Sequence, residues 1–464
     1  MANNSKTIGE LRTSGYVVLS VKQEIRKNLI SKIKSGQDLF PGIIGFEDSV
    51  VPQLENAILA GQDIILLGER GQAKSKVIRQ LMSLLDDEIP IMEGCELNDD
   101  PFNPICRQCK DIIAKKGDKA KISWLPREMR YAEKLATPDI TVADLIGEID
   151  PIKVAEGRYL SDELTIHYGL IPRTNRGIFC INELPDLSER IQVSLFNLMQ
   201  ERDVQIKGYR IMLPLDVFLV SSANPEDYTN RGRIITPLKD RYGAQIRTHY
   251  PRSTEEEMGI VEQEYTKFDD TADKVTVPDY MKELVAEITA LARRSPDVNQ
   301  RSGVSLRVSI ANYETVVSSA FKRSLKHDEK AAPRISDLPA IVASTLGKLE
   351  MESVEEGREF KVLEELTKKA VLNTFGRHFK AREFEDLVLK FEEGLAVETG
   401  SNIPSADYVK KLPLIGGASK LIKRIERSEE PAAIASAIEF VLEGLHLNRR
   451  LNRDHTGGHI VYTA

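Results

Sequence analysis

One short stretch of this chain restricts its fold more than any other. The apolar run DIILL ends at residue 67, GERGQAKS occupies residues 68–75, and the amphipathic stretch KSKVIRQLMSLL overlaps the end of that loop. A strand, a loop with two glycines and a helix that begins near a lysine therefore follow one another without a break. Because glycine lets successive backbone N–H groups turn toward a single anion, this order predicts a phosphate-binding loop.

The loop residues have predicted roles in binding a nucleotide. Gly68 and Gly71 give the backbone its freedom, and Lys74 can reach the β and γ phosphates while Ser75 offers its hydroxyl to Mg²⁺. Ala73 stands where the common pattern has its last glycine. Because the chain is already entering the helix there, we expect a right-handed backbone at Ala73. The predicted nucleotide-binding residues are Gly68, Glu69, Arg70, Gly71, Gln72, Ala73, Lys74 and Ser75.

Two further strands are predicted to bring polar side chains to the same edge of the sheet. GIFCIN is followed by Glu183 and ends in Asn182, and VFLVSSA is followed by Asn224. Glu183 is predicted to orient and deprotonate an attacking water. Asn182 keeps a carbonyl acceptor for Mg²⁺ but lacks the charge of an aspartate, so metal affinity should be weaker. Asn224 is predicted to position the same water, and its alternative role is that of a turn residue before proline.

Two arginines complete the predicted site. Arg241 in PLKDRYG and Arg307 in SGVSLRVS each carry a guanidinium that can stabilise the charge developing in phosphoryl transfer. Arg241 would come from a neighbouring subunit and Arg307 from a helical domain. Without the phosphate-binding loop, both would be interpreted as solvated surface arginines, and the loop favours the catalytic role.

The order of elements predicts an α/β fold with a parallel sheet, followed by helices. Apolar runs alternate with amphipathic stretches over residues 41–250, which is typical of an α/β nucleotide-binding core. Residues 1–40 are predicted to form a helical lead-in, 251–350 a helical lid domain and 351–464 a helical C-terminal extension. An apolar stripe in the last helix is expected to pack on this chain or on a neighbour, and its residues are Ile434, Ile438, Val441, Leu442 and Leu445.

The composition limits the classes of protein to which the chain can belong. A hydrophobic share of 41% with 29% charged residues is typical of a soluble globular protein, and no apolar run approaches membrane-spanning length. A cytoplasmic location without membrane insertion is therefore expected. The net charge of −7 argues against a surface that binds nucleic acid as a whole.

The four cysteines do not suggest a disulfide framework. Cys95 precedes the pair Cys106 and Cys109 in a polar insert, and three thiolates could bind Zn²⁺ with a fourth ligand from elsewhere. The alternative is three reduced thiols in a loop. Cys180 lies within an apolar strand and is predicted to be a core residue.

These motifs together resemble the AAA+ ATPases and, within them, the group of the magnesium-chelatase ATPase subunit and the MoxR proteins. The resemblance covers roughly residues 40–320 and runs through FPGIIGFED, GERGQAKS, GIFCINELPDL, SSANPEDYTNRG, LKDRYG and SLR in the family's order. In the terms of that family, GERGQAKS is similar to the Walker A motif, IFCINE to the Walker B motif and Asn224 to sensor 1.

The resemblance extends to the arginines and to two inserted segments. Arg241 is similar to the arginine finger and Arg307 to sensor 2, with Arg231 and Arg233 as alternative fingers. A hairpin predicted at residues 204–213 and the insert IDPIKVAEGRYLSDELTIHYG are similar to the extra elements of the helix-2-insert branch. The MCM helicases of that branch also carry an alanine before the Walker A lysine. Asn182 departs from the family pattern, because aspartate is usual at that position.

The resemblance implies an ATP-dependent remodelling ATPase. Such proteins form rings, here expected to be hexameric, that bind ATP and Mg²⁺ at the interfaces between identical subunits. Their typical partner is another chain with a von Willebrand A domain.

Two other functions stay open. A nucleotide-gated scaffold with little hydrolysis is suggested by Asn182, and a nucleic-acid motor by the helicase likeness and the predicted hairpin. We expect no nucleic-acid partner, because the sequence shows neither an OB-type domain nor a basic aromatic platform. The absence of a GAFTGA loop argues against a transcription activator.

Overall fold

The computed structural model describes most of the chain and divides it into two compact units. These are Met1–His249 and Tyr250–Ala464, each with its own hydrophobic core. The residues described are 5–150, 152, 155, 163–201, 204–206, 209–211, 213–224, 232–300, 302–352, 357–413, 415, 418–456 and 459–464.

In the first unit, short helices alternate with strands. The helices are α1 (Ile8–Thr13), α2 (Val21–Ser35), α3 (Val50–Leu59), α4 (Lys74–Gln80), α5 (Arg107–Lys116), α6 (Val142–Leu145), α7 (Leu170–Arg173), α8 (Glu189–Glu201) and α9 (Thr236–Arg241). The strands are β1 (Ile64–Leu67), β2 (Glu88–Met92), β3 (Ile122–Pro126), β4 (Tyr131–Leu135), β5 (Gly147–Ile149), β6 (Ile166–Tyr168), β7 (Gly177–Asn182), β8 (Val204–Ile206), β9 (Tyr209–Ile211), β10 (Val217–Ala223) and β11 (Ala244–Arg247).

A parallel sheet forms the centre of this unit. Within the described residues its strands stand in the order β11-β1-β10-β7-β4. Leu67 at the end of β1 is opposite Ala223 at the end of β10, so the residues that follow these strands lie at one edge. The predicted α/β class with a parallel sheet is confirmed.

The inner strands β1, β7 and β10 are mostly apolar because helices cover both faces of the sheet there. Ile64 and Leu66 of β1 lie in a core formed with α2, α3 and α4. Ile65 points the other way, into a core that includes Leu195 of α8. Successive side chains on a strand alternate between faces, so a strand buried on both sides favours apolar residues at most positions.

The predicted helical lead-in is an integral part of the first unit. A capping box of Ser20 and Gln23 begins α2, and Gly36, with φ of 65°, ends it. Glu24 on this helix accepts two hydrogen bonds from the Arg130 guanidinium, at 2.7 and 2.6 Å, and both side chains are almost fully buried. This ion pair joins α2 to the residue that precedes β4.

Glu24→Gln is expected to lower the free energy of unfolding by about 3–5 kcal/mol, because the Arg130 charge would lose its buried counter-ion. Urea denaturation of the full chain measures the loss. The control is Lys27→Met on the same helix, since Lys27 pairs with Asp86 at 3.1 Å but is 52% exposed. That variant should change stability by less than about 1 kcal/mol; equal losses in both variants would contradict the prediction.

Two-stranded antiparallel ribbons accompany the sheet: β2 with β3, β5 with β6, and β8 with β9. The last is the predicted hairpin, in which Val204 is opposite Ile211. Lys207 and Gly208, predicted to form its turn, lie outside the described residues, as does part of the predicted insert after β5.

Most of the second unit is helical, as predicted. Its helices are α10 (Thr254–Glu264), α11 (Asp269–Ala272), α12 (Asp279–Ala292), α13 (Arg307–His327), α14 (Val342–Thr345), α15 (Arg358–His378), α16 (Glu385–Glu392), α17 (Ser405–Lys411), α18 (Ala418–Ile425) and α19 (Pro431–Leu447). Its strands are β12 (Val397–Thr399), β13 (Asn452–Thr456) and β14 (His459–Thr463). No helix in the described part of the chain is both long and apolar enough to span a bilayer.

Helix α19 packs within its own chain, and its buried residues extend beyond its predicted stripe. Gly444 lies against the ring of Phe375 on α15, so closely that a Cβ at residue 444 would overlap the ring. Phe440 stacks on Tyr280 of α12 with ring centroids 4.7 Å apart. The core of this unit contains residues from both sides of position 350, and the boundary proposed there stays a prediction.

The small sheet of the second unit, in which β14 pairs with both β12 and β13, was not predicted. Its signal in the sequence is Gly457-Gly458 between β13 and β14, which is typical of a hairpin.

Candidate functional site

Lys74 begins α4, and its ammonium is buried against the loop that precedes it. Nζ donates hydrogen bonds to the backbone oxygens of Gly68 and Glu69, the latter at 2.7 Å. A third hydrogen bond, also 2.7 Å, goes to Oδ1 of Asn224. Oxygen atoms from the loop and from the end of β10 therefore surround this charge, which a buried ammonium requires.

The side chains of Thr248 and Gln72 pack against Gly68 at the start of the loop. Thr248, directly after β11, donates to Gln72 Oε1 at 2.6 Å, and Gln72 Oε1 also accepts from the Glu69 amide at 3.1 Å. A Cβ on residue 68 would overlap both Thr248 Oγ1 and Gln72 Oε1. Glycine is therefore needed here for space. Thr248 was not among the predicted residues, since only its position after an edge strand marks it.

The prediction of a right-handed backbone at Ala73 is wrong. Ala73 has φ of 53° and ψ of 13°, a left-handed conformation, and Gly71 also has a positive φ of 78°. The chain is still turning at residue 73, and α4 begins only at Lys74. Left-handed alanine costs roughly 1–2 kcal/mol, so the methyl group of Ala73 stores strain in the loop.

Ala73→Gly is expected to raise the free energy of unfolding by about 0.5–1 kcal/mol, because it relieves this strain. The matched control is Gly71→Ala, which introduces a Cβ at a second positive φ and should lower stability by about 1–2 kcal/mol. Urea denaturation of both variants checks the prediction. A loss of stability in Ala73→Gly would show that its backbone is not strained.

Asn224 connects the loop lysine to the carboxylate of Glu183. Its Oδ1 accepts from Lys74, and its Nδ2 donates to Glu183 Oε2 at 2.9 Å. Only this orientation of the amide satisfies both partners, because an ammonium cannot accept and a carboxylate cannot donate. The structure thus brings together three of the predicted residues at the carboxyl edge of the sheet.

Asn182 has a carboxylate beside it, which the sequence analysis did not identify. Its Nδ2 donates to Glu133 Oε1 on the neighbouring strand β4, and its Oδ1 accepts from Ser222 at 3.1 Å. Arg79 of α4 donates to both Glu133 oxygens, at 2.8 and 3.0 Å, and these bonds hold the pKa of that carboxyl below its ordinary value. A negative charge therefore lies next to residue 182, although residue 182 itself is neutral.

The predicted arginines have separate environments. Arg241 ends α9, with its guanidinium 4.5 Å from the ring centroid of Phe196 on α8. Arg307 begins α13 in the second unit and is exposed. Arg233 is also exposed, 3.8 Å from Glu189, and Arg231 lies outside the described residues.

The three cysteines of the polar insert come together with an aspartate. One ligand atom from each of Cys95, Asp99, Cys106 and Cys109 lies within 4.8 Å of the others. Burial raises the pKa of the Asp99 carboxyl to about 7, and hydrogen bonding from Cys106 lowers the pKa of the Cys95 thiol to about 4. Asp99 was not predicted, because acidic residues are common in a polar insert. Cys180 is buried in β7, as predicted.

The fold and the site together define a class of protein. A glycine-containing loop after β1 of a parallel sheet, with Asn182, Glu183 and Asn224 at the ends of β7 and β10, matches the arrangement predicted for a P-loop ATPase of the AAA+ kind. The chain is homologous to the ChlI subunits of magnesium chelatase.

The comparisons with known proteins are as follows. A ChlI subunit from a Nostoc species is 26% identical over 345 residues, which are 68% of this chain and 86% of the relative. A ChlI homologue from Methanocaldococcus jannaschii is 30% identical over 218 residues, 45% of this chain and 53% of the relative. A chain in a model of the complex between BchI and BchD of magnesium chelatase, based on a cryo-EM reconstruction, is 20% identical, covering 70% of this chain and 98% of that one, with a TM-score of 0.35. No family model matches the chain.

Proposed function

We propose that this chain hydrolyses ATP and uses the reaction to remodel a partner protein. The observation that carries the proposal is the hydrogen-bond chain from Lys74 through Asn224 to Glu183. A loop that only binds a nucleotide does not need a carboxylate held beside its lysine. Hydrolysis does, because a carboxylate must orient and deprotonate the attacking water.

The residues present fit a nucleoside triphosphate with Mg²⁺. The close approach of Thr248 to Gly68 excludes a side chain from the loop, and Lys74 presents a buried ammonium among oxygen acceptors. The loop amides and Lys74 would hold the phosphates, while the Ser75 hydroxyl and Asn182 would support the metal. When bound, Mg²⁺ neutralises charge on the phosphate oxygens.

Glu183 is the proposed general base, and Asn224 is its positioning residue. The hydrogen bond from Asn224 to one carboxylate oxygen keeps the Glu183 side chain turned toward Lys74. Glu183 itself has a left-handed backbone, with φ of 55°. Strained backbone at such a position is common at functional sites.

We further propose a ring of identical subunits, with six favoured, in which Arg241 reaches the nucleotide of its neighbour and Arg307 acts from the second unit. This follows from the family resemblance and from the chemistry of guanidinium groups in phosphoryl transfer. The relatives are subunits of magnesium chelatase, which supports a second chain as partner, and we propose one with a von Willebrand A domain.

The alternative is a nucleotide-gated scaffold that hydrolyses ATP hardly at all. Asn182 favours it, because a neutral amide at this position binds Mg²⁺ less strongly than a carboxylate and its Oδ1 is already engaged by Ser222. Glu133 weakens this argument, since it supplies a charge one hydrogen bond away.

Steady-state ATP hydrolysis by the full chain with Mg²⁺, over a range of protein concentrations, tests the proposal. Turnover per chain should rise cooperatively with concentration, and Lys74→Ala should abolish it. The matched control is Lys76→Ala on the same helix, because Lys76 donates to the carbonyl of Gly42, outside the loop, at 3.1 Å.

The outcomes separate the candidate functions. Tight ATP binding without turnover at any concentration would favour the scaffold. Turnover stimulated by single-stranded DNA and suppressed by salt would favour a nucleic-acid motor. Turnover that survives Lys74→Ala would contradict the assignment of this loop.

A further inference from the structure

The cluster of Cys95, Asp99, Cys106 and Cys109 lies in the insert after β2 and in the first turn of α5, and the proposed ATPase reaction does not use it. We propose that these four residues bind one Zn²⁺ ion in a closed, structural site. Three of the ligands are those that the sequence suggested, and the structure adds the fourth.

The distances agree with tetrahedral coordination. Zinc–sulfur bonds of about 2.3 Å place two thiolates of a tetrahedral site about 3.8 Å apart. Cys95 Sγ and Cys106 Sγ are separated by 3.9 Å, and all four ligand atoms lie within 4.8 Å of one another. The two sulfurs are therefore at the spacing of two ligands on one metal, well beyond the length of a disulfide.

Asp99 gives an independent indication of a ligand. Its side chain is fully buried, with Oδ2 accepting from the Cys106 amide at 3.0 Å, but Oδ1 has no hydrogen-bond partner in the part of the chain that the structure describes. A buried carboxylate oxygen without a partner is costly. A cation bound between Asp99 and the thiolates would satisfy it.

Two of the cysteine sulfurs accept contacts from backbone amides. The Leu97 amide lies 3.4 Å from Cys95 Sγ, and the Cys109 amide lies 3.3 Å from Cys106 Sγ. Such N–H···S contacts stabilise thiolates and orient them toward a metal. Cys106 is also the N-cap of α5, so the positive end of that helix favours the charged form.

The four ligand atoms, three sulfurs and one carboxylate oxygen, favour Zn²⁺ over Mg²⁺ and Ca²⁺. Three thiolates are soft ligands that suit Zn²⁺, whereas Mg²⁺ and Ca²⁺ require oxygen atoms. With four protein ligands no coordination position is left open, which indicates a structural role.

Zinc would fix the insert against the neighbouring part of the sheet. Asn98, between two of the ligands, donates to the Arg173 carbonyl at 2.8 Å, and Asn175 donates to the Leu97 carbonyl at 2.8 Å. The metal would thus order the insert on the turn that leads into β7.

The test is the metal content of the full chain, expressed with added zinc and purified under reducing conditions without chelator. We expect about one Zn²⁺ per chain by mass spectrometry of the metal. Cys109→Ser should lose at least about nine-tenths of it and Asp99→Asn a large part. Cys180→Ala, which removes a buried thiol outside the cluster, should retain it. Cobalt substitution should give the charge-transfer and ligand-field bands of tetrahedral thiolate coordination.

Two results would overturn the proposal. One is a wild-type chain that binds no stoichiometric zinc or cobalt with its thiols reduced. The other is zinc that remains bound at full stoichiometry in Cys109→Ser. Because wild-type metal content decides the first point, the test does not depend on the variants folding, and it is independent of ATP hydrolysis.

Discussion

Glu183→Gln is expected to reduce ATP turnover by about 10²- to 10⁴-fold, the contribution typical of a general base, while ATP binding is retained. Glutamine has the shape of glutamate, so its amide oxygen can still accept the hydrogen bond from Asn224. It cannot take a proton from water at neutral pH. Steady-state phosphate release measures turnover, and fluorescent-nucleotide titration measures binding.

The control is Glu189→Gln, at the start of α8, where an exposed carboxylate lies 3.8 Å from Arg233. This variant should hydrolyse ATP at the wild-type rate. Unchanged turnover in Glu183→Gln would remove Glu183 from the catalytic role. Loss of both binding and turnover would instead assign it to the structure of the loop.

Asn182→Asp is expected to destabilise the protein by about 1–3 kcal/mol rather than to improve its site, because a buried hydrogen bond is replaced by a repulsion. Asn182 donates to Glu133, so aspartate at residue 182 would place two carboxylates in contact. Like charge raises the folded-state pKa of one carboxyl, so the loss of stability should be small near pH 4, about the ordinary pKa of these groups, and full at neutral pH. Thermal unfolding between these pH values measures it.

The double variant Asn182→Asp/Glu133→Gln separates the two effects. Glutamine at residue 133 can donate to aspartate at residue 182, which restores the hydrogen bond in the opposite direction and leaves one negative charge. We expect stability to recover by more than half of the loss. If the double variant also hydrolyses ATP many-fold faster than the wild type, the native site is a weak hydrolase and the scaffold gains support. Additive destabilisation by the two substitutions would show that these side chains do not interact.

The buried strands of the sheet could be predicted from the sequence, because burial on both faces selects apolar residues over a short local stretch. Strands β1, β7 and β10 are covered on both faces and are therefore mostly apolar, which made the strands and the edge they share predictable. The conformation of Ala73 was not predictable in the same way, because alanine favours helices and nothing in its type signals a left-handed turn.

Glu133 and Asp99 were not predicted because only contacts between segments distant in sequence bring them to their sites. Glu133 lies on the half-buried strand YAEKL, and only the register of β4 with β7 brings it to Asn182. Asp99 is one of several acidic residues in a polar insert until the fold closes the cysteines around it.

The buried pair of Glu24 and Arg130 shows that the first unit needs residues outside its family motifs in order to fold. The family motifs begin near residue 40, and a shortened chain that starts there would keep each of them. It would also leave the Arg130 guanidinium, 1% exposed, without its counter-ion and uncover the sheet face that α2 protects. We therefore expect such a fragment to aggregate, and the shortest autonomous form of the first unit has to include the helix that no motif marks.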